Sequence, residues 1–193
     1  MQIVVTAFLD ESRALVEEST LLVDLYQDKH PDFPQRLIGW LRRAEETLKR
    51  HRRSQLAPMS ALRARALAAI AGVHESADPA AARRLQARKQ TAGACALLLG
   101  QAQGLLHEAQ AALEPKRDEA ARLIQQMLQI LLQAAVLPPL LAAAHGPAER
   151  LTLVWQACQT RPEVANGARQ ILGLVAWADA LRLIDETLDA WRL

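Results

Sequence analysis

Alanine and leucine dominate this chain so heavily that local structure is constrained before any motif is sought. There are 37 Ala and 33 Leu in 193 residues, against 16 Val and Ile together and 4% aromatic residues. Ala and Leu are strong helix formers, whereas pleated sheets need β-branched and aromatic side chains to fill their faces. With 51% hydrophobic residues the chain is also too apolar for disorder. The expected fold is all-α: one domain over residues 1–193, built as a bundle of six or seven helices, two of them long. A candidate subdivision lies near 138–147.

Apolar spacing places the helices. The first is expected over about Thr6 to Asp28, with Phe8, Leu15, Leu22 and Tyr26 in register, and it ends at His30-Pro-Asp-Phe-Pro34. The second spans about Pro34 to Arg53, with Leu37, Trp40, Leu41, Ala44 and Leu48 as its stripe. A third starts at Ser60 as N-cap and reaches about Val73. Asp78-Pro79 starts a long helix running to about Leu113, and Glu114-Pro115 starts the next, to about Leu137. Pro138 to Pro147 reads as a loop with a helical turn at Leu140–Ala144. A short helix carries Leu151, Val154, Trp155 and Cys158. The capping box Thr160-Arg-Pro-Glu163 then opens a last long helix through Trp191.

The net charge of +2 conceals a partition. Residues 1–34 carry net −5, residues 35–89 net +9, and residues 90–193 net −2. Within the basic segment, Arg42, Arg43, Lys49, Arg50, Arg52, Arg53, Arg63, Arg65, Arg83 and Arg84 are the candidate polyanion- or partner-binding residues. Clustered Lys and Arg displace counterions from phosphates, which points to a nucleic acid. The competing reading pairs this segment with the acidic first helix, whose Glu17, Glu18 and Asp24 offer the opposite charge.

Two uncharged patterns complete the positive signals. Ala92, Ala96, Gly100 and Gly104 recur at i+4, a row of small residues against which a helix can come close. Packing within the chain is the favoured reading and a homodimer seam the alternative. Gln125, Gln129 and Gln133 also line up at i+4, and Gln in place of Lys and Glu suggests partial burial, against this chain or a partner.

Searches for reaction chemistry return little. His30, His51, His74, His107 and His145 form no HxxxH or HExxH pair, so neither metal nor cofactor is expected. No phosphate loop or nucleophile elbow exists, and Glu186-x-x-Asp189 supplies only half of a magnesium-binding carboxylate pattern. No catalytic residue is assigned. Cys95 and Cys158 read as reduced core thiols, which suggests a cytoplasmic protein. No membrane span is expected, because the uncharged stretch Leu123–Ala148 holds four Gln and Pro138-Pro139. The N-terminal run lacks the basic residues of a secretory leader.

The function these patterns point to is a non-catalytic interaction or regulatory protein: an accessory subunit, adaptor or inhibitor recognising a protein partner through helix faces. The alternative is a nucleic-acid binder, or helical subunit of a nucleoprotein complex, using basic segment 36–89. A third class is an enzyme whose carboxylates gather only in space.

Overall fold

A computed structural model describes residues 4–75 and 81–192, without the side chains of 72–75, 81–85 and 87. The described residues are α-helical with no strand. The helices are α1 (Val5–Gln27), α2 (Phe33–Arg50), α3 (Leu56–Glu75), α4 (Ala81–Ala111), α5 (Glu114–Gln133), α6 (Leu137–Ala143), α7 (Pro147–Thr160), α8 (Ala165–Leu174) and α9 (Trp177–Trp191). The start signal Asp78-Pro79 lies outside the described residues.

The chain divides into two compact units, residues 8–112 and residues 1–7 with 113–193. The division falls at the two-residue turn after α4, while 138–147 lies inside the second unit. Pro138 and Pro139 sit in the first turn of α6, where a missing N–H costs nothing, so they start a helix there.

The first unit holds α2, α3, α4 and α1 beyond its first turn. Hydrogen bonds set its direction. Gln110 Nε2 donates to Ser12 Oγ (3.1 Å) and Gln103 Nε2 to Ser19 Oγ (2.7 Å), so α1 runs antiparallel to α4. Arg43 meets Glu18 and Arg50 meets Glu11, which sets α2 antiparallel to α1. Arg63 meets Glu45 across α2 and α3, and Arg65 meets Gln101 across α3 and α4. The result is an up-down-up-down four-helix bundle. Phe8, Leu37, Trp40, Leu41, Leu48, Met59 and Leu106 fill its centre. Trp40 is fully buried, and its Nε1 donates to the Leu15 carbonyl at 2.9 Å. The two Ser–Gln pairs are polar contacts inside or at the edge of that core, and they fix the α1–α4 register because any slip leaves buried amides unpaired.

In the second unit α5 packs against α8 and α9, and α7 against α6, α8 and α9. Ile124, Met127, Leu128 and Leu131 face Ile171, Leu183, Ile184 and Leu188 in one apolar interior. Arg117 on α5 reaches Glu186 on α9 (3.2 Å), and Arg150 on α7 reaches Asp185 (3.0 Å).

Several helix ends differ from expectation. The last long helix is two helices, because Val175 and Ala176 are extended. The break is organised by Asp179, whose Oδ2 accepts the Ala176 N–H at 3.2 Å and caps α9 from its third position. Thr160 closes α7 instead of opening a helix: its hydroxyl donates back to the Gln156 carbonyl (2.9 Å), and Pro162 holds Arg161 extended. Ser60 lies inside α3, which begins at Leu56, and its hydroxyl donates to Glu45. These changes, with α6, bring the helix count among the described residues to nine.

Helices α1, α2 and α5 end without glycine. Lys29, Arg52 and Ala135 take the left-handed conformation (φ 55°, 52° and 52°). The following N–H groups reach back to Leu25, Leu48 and Leu131 carbonyls at 2.9 Å each. These are Schellman-type closures, built on residues that meet a steric cost there.

Candidate functional site

Arg43 and Arg50 of the basic segment are matched by acids of α1, and Arg42 and Arg63 by acids of α2. Glu11 and Glu18 stand seven residues apart, and so do Arg43 and Arg50. Antiparallel packing of α1 on α2 brings both pairs together at once, with Arg43 Nη2 2.5 Å from Glu18 and Arg50 Nη1 2.8 Å from Glu11. Arg42 pairs with Glu46 at 3.6 Å along its own helix. Arg63 reaches Glu45 at 2.5 Å, and hydrogen bonds from Arg63 and Ser60 hold that carboxyl below the usual carboxylate range.

Arg53 is withdrawn by another route. Its guanidinium lies 4.8 Å over the Phe8 ring, and burial pushes its pKa down. His51 packs edge-on against the same ring, 5.5 Å between centroids, with Nε2 3.4 Å from Glu11. Glu11 therefore serves Arg50, His51 and the Thr47 hydroxyl (3.4 Å) together. Lys49 and Arg52 remain exposed at the α2–α3 end of the bundle, and Arg65 is exposed beside Gln101. Arg88 and Lys89 are exposed at the opposite end. The side chains of Arg83 and Arg84 lie outside the described residues. The ten candidate cations are thus not gathered on one face by the described side chains.

The glycine half of the small-residue row faces outward, which corrects for Gly100 and Gly104 the expectation that the row packs within the chain. Cys95, Leu98, Leu99, Ala102 and Leu106 are the core positions of α4. They turn Gly100 and Gly104 to solvent, while Ala92 and Ala96 are half-buried. A Cβ placed on Gly93, Gly100 or Gly104 would meet nothing within 4 Å. Leu97, on the same face, is 72% exposed. Arg65 and Gln101 meet on this outer side, so it continues onto α3 through the exposed Ala61, Ala64 and Ala68.

The glutamine stripe is exposed too. Ile124, Met127, Leu128 and Leu131 take the inner face of α5, leaving Gln125, Gln129 and Gln133 outside with Ile130 and Leu132. Trp177 is 51% exposed at the start of α9.

Asp179 is the residue that sequence reasoning missed. It is fully buried and accepts from Val5 N (2.8 Å), Thr6 N (2.9 Å), Thr6 Oγ1 (2.5 Å) and Ala176 N (3.2 Å). One carboxylate thereby satisfies orphan donors at the N-termini of α1 and α9. All four donors lie at the starts of α1 and α9, so the carboxylate holds these two helix ends together.

Glu186 is held by Arg117 and Arg182, and Asp189 lies 3.6 Å from Arg150. Among the described residues no three His, Cys, Asp or Glu side chains are grouped to hold a metal ion. Cys95 and Cys158 are free and buried; burial raises both thiols, Cys158 to about 12. No single helix among the described residues is long and apolar enough to cross a membrane.

Comparison with family models, with curated proteins and with solved structures finds no match.

Proposed function

We propose that this chain is a non-catalytic helical interaction protein acting through the outer α3–α4 face of its four-helix bundle, and that the occupant of this face is the α4 helix of a second copy. The observation that carries the reading is the pairing of a knob and a notch on one exposed helix. Leu97 projects at 72% exposure, and Gly104, seven residues on, leaves open space. Seven residues span about 10.5 Å of helix. A two-fold axis between positions 100 and 101 of an antiparallel α4 pair sets each Leu97 over the other copy's Gly104. Such an interface is isologous and closed.

The glycines support it energetically. Each interior Gly costs roughly 0.5–1 kcal/mol relative to Ala in a helix, and nothing among the described residues requires Gly100 or Gly104 to lack a Cβ. A neighbouring helix at close approach supplies that requirement. The adjoining surface of α3 is alanine at 61, 64 and 68, so apolar area is available with few charges to desolvate.

Sedimentation across micromolar concentrations tests the reading. The expected result is a dimer that Leu97→Lys and Gly104→Glu each convert to monomer with unchanged helicity. A strict monomer overturns it, as does a dimer indifferent to both substitutions. The nucleic-acid alternative retains Lys49, Arg52 and Arg65 as exposed cations. The ion pairs of Arg43, Arg50 and Arg63 weigh against it. Binding to duplex and single-stranded oligonucleotides over a salt series is its test, and a steep salt slope would favour it.

A further inference from the structure

The bundle end opposite Lys49 and Arg52 holds a cleft of about 640 Å³. Its walls come from the α1–α2 turn, from Ile70 on α3 and from Arg88 to Ala92 on α4. That volume lies in the range of small-molecule sites, roughly 300–1,000 Å³. Phe33 is buried at its floor, and the Tyr26 ring lies against Phe33 at 5.4 Å. Ile70, Pro31 and Pro34 extend the apolar lining.

The charged part of the described lining has one sign. Lys29, Arg88 and Lys89 border the cleft, and no carboxylate among the described residues does. All three are exposed, so the charge sits at the mouth and the apolar surface below it. Lys29 is held there by its left-handed backbone at the end of α1. The first turn of α2 also borders the cleft, and the Asp32 carboxylate at that N-terminus lies 3.9 Å from Nδ1 of the lining His30. His30 Nδ1 accepts the Asp32 N–H at 3.2 Å, which leaves Nε2 of the lining imidazole as the donor.

We propose that this cleft binds an amphipathic anion: a carboxylate or phosphate head at Lys29, Arg88 and Lys89, with a single apolar chain laid over Phe33 and Ile70. An apolar floor with a cationic mouth excludes a purely inorganic anion, which gains nothing from the floor. It excludes a cationic amphiphile by repulsion at the mouth. The proposal is independent of self-pairing through α4.

Calorimetry on the full chain, with probes kept below micelle formation, tests it. The probes are dodecanoate, dodecyl phosphate, dodecanol, dodecyltrimethylammonium and inorganic phosphate. Both anionic amphiphiles are expected to bind saturably, one per chain, about tenfold or more tighter than dodecanol, a difference of about 1.4 kcal/mol. The other two probes are expected not to bind. Arg88→Glu with Lys89→Glu removes the head-group preference, and Ala92→Phe, which fills the cleft, abolishes binding. These positions are exposed or half-buried, and circular dichroism verifies that each variant folds. Equal affinity for dodecanol and dodecanoate overturns the proposal, as does binding unaffected by either variant. Absence of saturable binding overturns it too. Association with phosphatidylglycerol vesicles without binding of the monomeric anions would identify a membrane surface instead, and likewise overturns it.

Discussion

Replacing Asp179 by alanine removes the acceptor for four donors at once: Val5 N, Thr6 N, Thr6 Oγ1 and Ala176 N. A buried donor left without a partner costs about 1–3 kcal/mol. The sum of four such terms is an upper bound, because the first turn of α1 can fray and rehydrate two amides and a hydroxyl. The Ala176 N–H stays between α8 and α9. The expected loss is therefore about 3–5 kcal/mol, a large part of the roughly 5–15 kcal/mol typical of a folded domain. At about 2–4 °C per kcal/mol for a chain of this size, the melting temperature drops by roughly 6–20 °C. Asp179→Asn keeps the shape but turns an NH₂ toward the backbone donors, so it loses about 2 kcal/mol. Thr6→Val removes only the hydroxyl and loses about 1 kcal/mol. Urea unfolding gives the energies, and amide exchange reads the mechanism: Val5, Thr6 and Ala176 should lose protection in Asp179→Ala before the core of α5 does. A loss below about 1 kcal/mol in Asp179→Ala, or unchanged exchange at those three amides, would refute the argument that one carboxylate secures both helix starts.

Four further outcomes are expected. Gly100→Ala and Gly104→Ala should each stabilise the isolated chain by about 0.5–1 kcal/mol in thermal unfolding, since a Cβ meets open space at both. Ala135→Gly should add a similar 0.5–1 kcal/mol, because it relieves a left-handed alanine (φ 52°) without touching the closure. Glu45 titrates below the ordinary 4.5 in the folded chain, so the unfolded chain takes up the proton first. Its stabilising contribution is complete above that value and fades as pH falls through the lower folded value. Urea midpoints measured at acid and neutral pH should show a shallower acid loss in Glu45→Gln. Cys158, with its thiol at about 12, should react with a maleimide at neutral pH only as fast as the protein opens.

Much of the architecture is legible in the residues themselves. Phe8, Leu15 and Leu22 of α1 and the whole α2 stripe are buried as 3–4 spacing predicts, while Tyr26 is 40% exposed, and prolines at 34, 115 and 147 mark helix starts. The break before α9 was not legible, because Ala176-Trp-Ala-Asp179 is a good helical string. Its interruption depends on a carboxylate shared with residues more than 170 positions away. The end of α5 was hidden because alanine occupies the left-handed position where glycine would have announced it. The ion pairing of the basic segment was half legible. Matching seven-residue intervals in α1 and α2 were present, but they become partners only in an antiparallel register.

Composition and periodicity are local properties, so helicity, the inward stripes and the alternation of charge along the chain belong to the sequence. Which side of a stripe faces solvent does not. The row Ala92, Ala96, Gly100, Gly104 and the row Gln125, Gln129, Gln133 looked equally able to pack inside. Gly100, Gly104 and the glutamines were turned outward because larger apolar neighbours, with more area to remove from water, took the inner positions. That competition between faces, like the sharing of Asp179 and the assembly of a cationic cleft from three separate segments, is settled only when helices distant in sequence meet.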